Sequence, residues 1–546
     1  MTSAIRFAWL TVFSWALLHS LFAQQGLKIG ESSVHGSFQS DAQYYFEDEV
    51  IQAQAVDENL RSNTFLQLTF QQGKFSAGVR YEAYLNELLG FRPEYRGQGI
   101  PYRFAKYSSD QLDITVGNIY DQFGSGMVFR SYQEWFLGID NSVDGVHVRL
   151  APVPGLQLKG LVGTQRKFFE RSKGILRGGD LEADFNQLIP GMEKSKTRLR
   201  IGGSAMSRFL EDESTTLQLP ENVTAFGGRM ALSRGKFSFQ GEYAYKINDP
   251  FNRNNFVYND GNGIFLTGTY SQKGLGITAA FKRIDNMDFR SERSVVFEEL
   301  TVNFLPPTTL QHTYRLPTLY PYATQPNGEI GGQIDFIYRI PKKTALGGKY
   351  GTQISVNYSR VNGLDTSFVD SVFTYESSTL GAGDKRYFED FNIQISKKWN
   401  KRFKTTLTYI YLLYNIEVVE GLIGQPDVRV HVGVLEGSYK IKRGHNLRCE
   451  LQHMYTKENL GSWAMALAEY SISPHWFFTV FDEYNYGNPD EARQAHYYNG
   501  SFAYVNGGNR IQFGYGRQRA GLLCVGGICR FVPASNGFTL SLSSTF

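Results

Sequence analysis

The segment 538–546 constrains the fold more than any other part of the chain. Apolar residues alternate with Ser and Thr along it, and the alternation is broken only at Ser544. The apolar members are Phe538, Leu540, Leu542 and Phe546. Successive side chains of a β-strand point to opposite faces, so these four share one face and the hydroxyl side chains share the other. Such a strand is typical of a transmembrane β-barrel, whose outside meets lipid and whose interior is wet.

The composition favours membrane strands over membrane helices. The chain has 33 Tyr, 41 Phe and 56 Gly among 546 residues, and its mean hydropathy is −0.32. After residue 23, we find no run of about 20 apolar residues that could cross a bilayer as a helix. Many aromatic residues with a low mean hydropathy fit strands that are apolar on one face. The formal net charge of +4 is small for this length and predicts no nucleic-acid partner.

Short turns recur along the chain and divide it into strands. In residues 62–71, Leu66, Leu68 and Phe70 share one face, and after a turn at Gly73 the alternation resumes. Similar turns are predicted at 107–110, 152–155, 233–236, 271–274, 442–445, 471–474 and 506–509, with less regular ones at 194–196, 341–350 and 397–401. The spacing of these turns predicts about 24 antiparallel strands, within a range of about 22 to 26.

All of these turns fall on one side of the predicted barrel. Outer-membrane barrels have short turns in the periplasm and long loops outside the cell, so we expect this side to be periplasmic. Long loops are predicted near 47–61, 85–100, 119–143, 209–221, 247–261, 286–329, 361–385, 486–494 and 520–536. We therefore predict an all-β fold, a single transmembrane antiparallel barrel over residues 24–546. We expect no plug domain and no periplasmic repeats before a first strand at about residue 33.

Residues 1–23 have the features of a secretory signal peptide. Arg6 is positively charged, residues 7–22 are mainly apolar, and Ala23 is a small residue at a suitable cleavage position. No Cys follows Ala23 to accept a lipid anchor. We therefore expect cleavage before Gln24, export, and insertion into the outer-membrane lipid of a Gram-negative bacterium.

Several segments resemble known outer-membrane proteins. The alternating segment that includes Phe546 resembles the signal read by the barrel-assembly machinery, which is thus an expected partner during biogenesis. A second resemblance, to an outer-membrane barrel family of the Bacteroidota with no assigned function, rests on GNIYDQFGSG at 117–126, GIDNSVDG at 138–145, QHTY at 311–314, LYPYATQPNGE at 319–329 and CVGGICR at 524–530. This resemblance implies the localisation and no chemistry.

Two cysteines lie close together in the last long loop. Cys524 and Cys529 flank Val-Gly-Gly-Ile, whose glycines permit a tight reversal that brings the sulfur atoms together. The exported compartment allows oxidation, so we predict a disulfide, with two reduced thiols as the alternative. We expect no metal site, because the loop has no His and two ligands are too few. Cys449 is in phase with apolar neighbours and is expected to be unpaired, facing lipid or an interface.

The longest predicted loop, 286–329, is unusually apolar. Its part from Pro306 to Gly328 is rich in Pro and Tyr and has no regular strand period. A segment of this kind needs a surface to pack on. We predict that it folds into the barrel mouth and narrows the lumen, with Tyr314, Tyr320 and Tyr322 packed on the inner wall. The alternative is an outward loop that packs on the barrel's own rim or on a neighbouring subunit.

Two groups of basic residues fall in predicted outer loops. They are Arg166, Lys167, Arg171, Lys173 and Arg177, and Arg283, Arg290 and Arg293. We expect solvated loop charge, with binding of an anionic polysaccharide or lipopolysaccharide as the alternative. In another loop, Asp370-Ser371-Val372 resembles the O-glycosylation motif of Bacteroidota, so Ser371 is a candidate modification site.

The histidines give little support to catalysis. His312 could be grouped with Glu329, and His496 with Asp490 and Glu491, but a His at a barrel rim is usually a solvated polar residue. We expect no enzymatic activity and no cofactor. The expected function is a passive pore or transport channel for an unidentified solute. The alternative is a structural or interaction subunit of an outer-membrane complex, with a protein partner there. The presence of a water path through the lumen distinguishes the two.

Overall fold

The computed structural model of the protein describes residues 27–295, 299–369 and 374–546. Within them, 24 strands form one antiparallel sheet that closes on itself. The barrel strands are β1 Ser32–Phe46, β2 Leu60–Gln72, β3 Phe75–Leu85, β4 Gly97–Ser108, β5 Leu112–Ile119, β6 Val143–Val153, β7 Leu156–Lys167, β8 Glu170–Asp184, β9 Thr197–Phe209, β10 Asn222–Arg234, β11 Phe237–Lys246, β12 Gly261–Gln272, β13 Leu275–Asp285, β14 Gly328–Ile340, β15 Thr352–Phe368, β16 Tyr375–Lys398, β17 Phe403–Tyr414, β18 Val428–Lys442, β19 His445–Tyr455, β20 Trp463–Ile472, β21 Trp476–Tyr484, β22 His496–Asn506, β23 Asn509–Gln518 and β24 Ser535–Thr545.

The first and last strands close the barrel. β1 pairs with β2 on one side and with β24 on the other, where Ser37 lies opposite Thr545 and Phe46 lies opposite Asn536. An antiparallel sheet can close in this way only with an even number of strands, and closure leaves no unpaired edge. The predicted barrel of about 24 strands is confirmed.

The remaining elements are short. The helices are α1 Phe185–Leu188 and α2 Ile416–Glu420, and single 3-10 turns span Glu49–Ile51, Pro93–Tyr95, Met192–Lys194, Asn252–Asn254, Pro317–Leu319 and Glu491–Arg493. Short strands outside the barrel wall are Leu27–Ile29, Gln122–Phe123, Phe129–Arg130, Gln133–Glu134, Ile139–Asp140, Gly521–Val525 and Ile528–Val532. None of the helices in the part of the chain that the structure describes is long and apolar enough to span a membrane.

Short and long connections lie on opposite sides of the barrel, apart from the two-residue connection 168–169, which lies on the side of the long loops. On the short side most turns have two to four residues, as at 73–74 and 399–402, and the two longer ones are 185–196 and 341–351. Gly73 and Gly444 adopt positive φ angles of 54° and 79°, which Gly accepts without the steric penalty of a Cβ. The long side differs from the prediction at several places. The loops 415–427 and 456–462 were not predicted. Most of the predicted loop 361–385 is strand, because β15 continues to Phe368 and β16 begins at Tyr375.

The outer surface of the barrel is apolar. Large exposed side chains in its strands include Phe226, Met230, Leu232, Phe237, Phe239, Tyr243, Phe336, Phe391, Leu407, Leu435, Leu451, Val480, Phe513, Phe538 and Leu540. Residues between them in sequence point inwards and are mostly polar, as where Ser541 donates a hydrogen bond to Asp41 across the β1–β24 pair. The period of two thus separates a lipid-compatible face from a wet interior.

Candidate functional site in the barrel lumen

The inner wall differs between two sectors. In the covered sector, β6–β20, many inward side chains near the long loops are apolar and fully buried. These include Val143, Leu176, Met206, Val223, Ile284, Val361, Ile410, Leu412, Val430, Val432, Met454 and Trp463. In the open sector, β22–β24 with β1, the inward side chains are mostly polar or small and only half-buried. Examples are Asn499, Ser501, Gln512, Thr539, Ser541, Asp41 and Gln43.

Two loops of the long side fold into the lumen. We call 120–142 the first inserted loop and the described parts of 286–327, which are 286–295 and 299–327, the second inserted loop. The second inserted loop covers part of the apolar wall. Leu316 and Leu319 lie in the same apolar cluster as Leu412 and Val432 of the wall. The ring of Tyr320 lies 5.4 Å from that of Tyr414 on β17, measured between ring centres. The sequence-predicted segment is therefore placed in the lumen, against β15–β20. That it narrows a path for solutes stays a prediction.

The three predicted tyrosines have different partners. The Tyr320 hydroxyl donates to Asn459 Oδ1 at 3.2 Å, and the Tyr322 hydroxyl donates to Glu329 Oε2 at 2.6 Å. Burial, with the Glu329 carboxylate beside it, raises the pKa of Tyr322 well above its ordinary value, so this hydroxyl stays protonated and remains a donor. Tyr314 is half-buried and packs against the same apolar cluster.

Polar wall residues also anchor the second inserted loop. Lys282 of β13 contacts Glu329 Oε1 at 2.5 Å and donates from Nζ to the Pro306 carbonyl at 2.7 Å. The backbone N–H of Leu316 donates to Gln452 Oε1 of β19 at 3.0 Å. Removing a partner from such buried groups leaves an unsatisfied donor or acceptor, which is costly. The loop is thus held by specific bonds as well as by apolar packing.

The first inserted loop, 120–142, packs against another part of the covered sector. Phe123, Met127, Val128 and Phe129 have no exposed surface and lie against the inward side chains of β6–β13. The Ser125 N–H donates to Glu242 Oε2 on β11 at 2.7 Å, so the loop reaches from β5 to a distant wall strand.

Asp121 anchors the start of the first inserted loop. It accepts from Lys159 at 2.7 Å and lies 3.0 Å from the His147 ring nitrogen. Burial alone would raise the pKa of Asp121, but the bonds from His147 and Lys159 leave it below its ordinary value. The carboxylate therefore stays charged and holds the loop against β6 and β7.

Some of the basic residues that we expected to be solvated are buried. Arg166 is 3% exposed, and Arg283 and Arg290 are each 2% exposed. Arg166 binds Glu82 Oε2 and Asp140 Oδ2, both at 2.6 Å. The expectation of solvated charge is wrong for these three residues, because each has an acidic partner inside the barrel. The partner is Asp140 of the first inserted loop for Arg166, Asp285 of the same strand for Arg283, and Asp288 of the same loop for Arg290. Arg171 and Lys173 do remain exposed.

A disulfide hairpin, 519–534, joins the two inserted loops. Its strands pair Cys524 with Cys529, which are bonded with Cα atoms 4.1 Å apart. Gln311 Nε2 donates to the Cys524 carbonyl at 2.6 Å, which ties the hairpin to the second inserted loop. Arg530 Nη2 donates to the Phe136 carbonyl at 3.0 Å, which ties it to the first. We call these three segments together the plug.

A cavity of about 540 Å³ remains beside the open sector. The wall contributes Phe481 of β21 and Asn499 of β22, the second inserted loop contributes Arg315 and Tyr320, and the disulfide hairpin contributes Leu522. Because half-buried polar wall side chains continue from this cavity along β22, β23, β24 and β1, we take it as the candidate site.

Other sequence-predicted residues lie apart from this cavity or outside the described chain. Cys449 is exposed on the outer face of β19. Phe538 and Leu540 lie on the outer face of β24, and the ring of Phe546 covers Gly36 of β1. The pairing of β24 continues through Leu542, opposite Ser40. The signal peptide, 1–23, and Ser371 fall outside the described residues.

The structure does not bring together the histidine groups considered from the sequence. His312 contacts Asp390 at 2.7 Å, whereas Glu329 contacts Lys282. His496 contacts Asp482 at 2.6 Å, and Asp490 pairs with Arg493. Among the described residues, no group of three or more His, Cys, Asp or Glu side chains is arranged to hold a metal ion.

Comparisons with known proteins give a family and weak structural similarities. No curated protein matches the chain. The siderophore receptor PirA from Pseudomonas aeruginosa is 9% identical over 95% of this chain and 81% of the receptor, with a TM-score of 0.42. The P pilus usher PapC translocation pore is 8% identical over 94% of this chain and 99% of the pore, with a TM-score of 0.42. Because the sequence identities and the TM-scores are this low, the functions of those proteins have no bearing on this chain. The chain matches the family of unknown function DUF6029 over residues 5–546, and it belongs to that family.

Proposed function

We propose that the protein is an outer-membrane barrel that forms a passive channel for a small solute. The plug narrows the lumen, and the remaining route follows the open sector. The observation that carries this proposal is the half-buried polar wall of β22–β24 and β1 beside a cavity of about 540 Å³. A polar wall of this kind stabilises water and polar solutes in a lumen.

The apolar outer surface and the closure of the sheet both support a location in a membrane. Large exposed apolar side chains cover strands all around the barrel, a surface that is costly in water and favourable in lipid. The closed sheet pairs the backbone of every barrel strand with a neighbour, which a membrane interior requires. The side with long loops is expected to face the outside of the cell.

The covered sector is a poor route for a solute, because apolar side chains of the plug and of the wall pack together there. Leu316 of the plug and Leu412 and Val432 of the wall have no exposed surface. Protein interiors are packed nearly as densely as organic crystals, so water does not pass through such a cluster. Any solute therefore passes on the other side of the plug.

One observation favours a second candidate function. Two large apolar clusters fill much of the lumen, which is more packing than a simple pore needs. A barrel filled in this way could serve as a subunit or scaffold of an outer-membrane complex. In that case the loop-side surface of the plug would bind a protein partner, and no solute would cross.

Single-channel recording of the purified protein in planar bilayers tests the proposal. We expect a small conductance from the natural chain and a larger one when residues 307–326 are replaced by a Gly-Ser linker, because this removes the part of the second inserted loop that packs on β15–β20. A matched control deletes the exposed residues 421–426 in the loop between β17 and β18, and should leave the conductance unchanged.

The same recordings distinguish the two functions. If neither the natural chain nor the 307–326 variant conducts, the channel proposal fails. Loss of a co-purifying protein from the 307–326 variant, together with absent conductance, would favour the scaffold.

A further inference from the structure

The cavity beside the open sector has a basic lining. Among the described residues that line it, the side chains able to carry a charge near neutral pH are His312, Arg315, Arg517 and Arg519. Their acidic partners are Asp390, Glu483 and Asp48, whose side chains are 0%, 0% and 6% exposed. These carboxylates are not part of the lining. Each pair therefore presents its basic member to the cavity and its acidic member to the protein interior.

Two of the arginines share a single carboxylate. Arg315 Nε and Arg519 Nε both donate to Glu483, the latter at 3.1 Å. Two guanidinium groups and one carboxylate leave a net formal charge of one positive, which suits a monoanion and repels a cation. Arg315 is the more accessible, with 38% of its side chain exposed against 13% for Arg519. An anion that enters the cavity reaches Arg315 first.

Aromatic and apolar groups surround this charge. The guanidinium carbon of Arg315 lies 4.1 Å from the centre of the Phe481 ring, a cation–π contact that fixes the orientation of the side chain. Leu522 of the disulfide hairpin and Tyr320 of the second inserted loop complete this part of the lining. A fixed guanidinium next to apolar walls suits a carboxylate attached to an apolar or aromatic body.

We propose, on the basis of the channel function above, that this cavity binds small organic carboxylates and that such monoanions are the solutes. Arg315 binds the carboxylate, Arg519 adds to the positive potential, and Phe481 and Leu522 contact the apolar body. The cavity volume of about 540 Å³ lies in the range of sites for small molecules.

Equilibrium dialysis of labelled benzoate against the full chain in detergent tests the site without requiring a current. We expect saturable binding of one benzoate per chain and much weaker binding of benzyl alcohol, which has the same ring without the charge. Arg315→Gln should weaken benzoate binding by about tenfold or more, the usual loss for a bond between charged groups. Arg443→Gln, in the two-residue turn after β18, removes the same charge far from the cavity and should have no effect.

Several results would overturn the proposal. They are absence of saturable benzoate binding, equal binding of benzyl alcohol, or equal losses from Arg315→Gln and Arg443→Gln. If Arg315→Gln impairs folding, Arg315→Lys is used instead. It keeps the charge but loses the planar group over the Phe481 ring, so benzoate binding should weaken while the preference for benzoate over benzyl alcohol remains. A current from the natural chain without benzoate binding contradicts this site and leaves the channel function standing. Benzoate binding without a current supports the site and contradicts the channel function.

Discussion

The covered and open sectors belong to the same sheet, and both are apolar on the outer face, yet their inner faces differ. On β17, Ile410 and Leu412 point inwards, are fully buried and pack in the apolar cluster that includes the plug. On β22, Asn499 and Ser501 point inwards and are half-buried, and a cavity remains beside Asn499. The outer face of a barrel strand is dictated by lipid, whereas its inner face is dictated by whatever occupies the lumen. The difference shows which side of the lumen the plug occupies.

The largest expected difference in stability between the two sectors comes from placing a charge on an inward-facing side chain. Leu412→Asp should lower the free energy of unfolding by about 3 to 5 kcal/mol, because the carboxylate would be buried without a partner. Ser501→Asp, the matched change in the open sector, should stay within about 0.5 kcal/mol, because its side chain reaches water. Urea unfolding of both variants in lipid vesicles measures the two values. Similar losses at the two positions would remove the distinction between the sectors.

A smaller effect is expected from a charge on the outer face. Val480 and Thr479 are neighbours near the middle of β21, with Val480 exposed on the outside and Thr479 opposite Glu469 on the inside. Val480→Arg should cost about 2 to 4 kcal/mol near the bilayer midplane, whereas Thr479→Arg should be mild. The midpoint of urea unfolding in vesicles reports both changes. A mild Val480→Arg would show that this face does not meet lipid.

The smallest effect on the barrel itself is expected from loss of the disulfide. The hairpin forms a two-stranded sheet separate from the barrel sheet, so replacing Cys524 and Cys529 by Ser should change the unfolding midpoint of the barrel little while making residues 519–534 more sensitive to proteases. A thiol count before and after reduction checks the bond itself. One thiol before reduction and three after it are expected, with Cys449 as the internal reference. Three thiols before reduction would mean that the pair is reduced.

The barrel was readable from local sequence because its signals are local. Alternation with a period of two marks each strand, and Gly-containing turns such as 73–74 and 443–444 mark the ends. The apolar, Pro-rich and Tyr-rich stretch before β14 also showed that the segment needs a surface. These patterns require no knowledge of distant contacts, which is why the strand count was accessible.

The division of the lumen into sectors was not readable in this way. Whether an inward Leu meets water or the plug depends on contacts between distant parts of the chain, such as Leu316 with β17–β20. The same reason explains the error for Arg166, whose partners Glu82 and Asp140 come from another strand and a loop. The cavity around Arg315 had no sequence signal, because Phe481 and Glu483 lie far away along the chain.

The measurement that tests the account most directly is modification of single cysteines during single-channel recording. In a Cys449→Ser background, Ser501→Cys places a thiol on the open sector, and Val432→Cys places one on the covered sector, where the natural side chain has no exposed surface. A negatively charged methanethiosulfonate reagent should reduce the current of the Ser501→Cys channel and leave that of the Val432→Cys channel unchanged. Equal sensitivity of the two channels, or block at Val432→Cys alone, would contradict a route along the open sector.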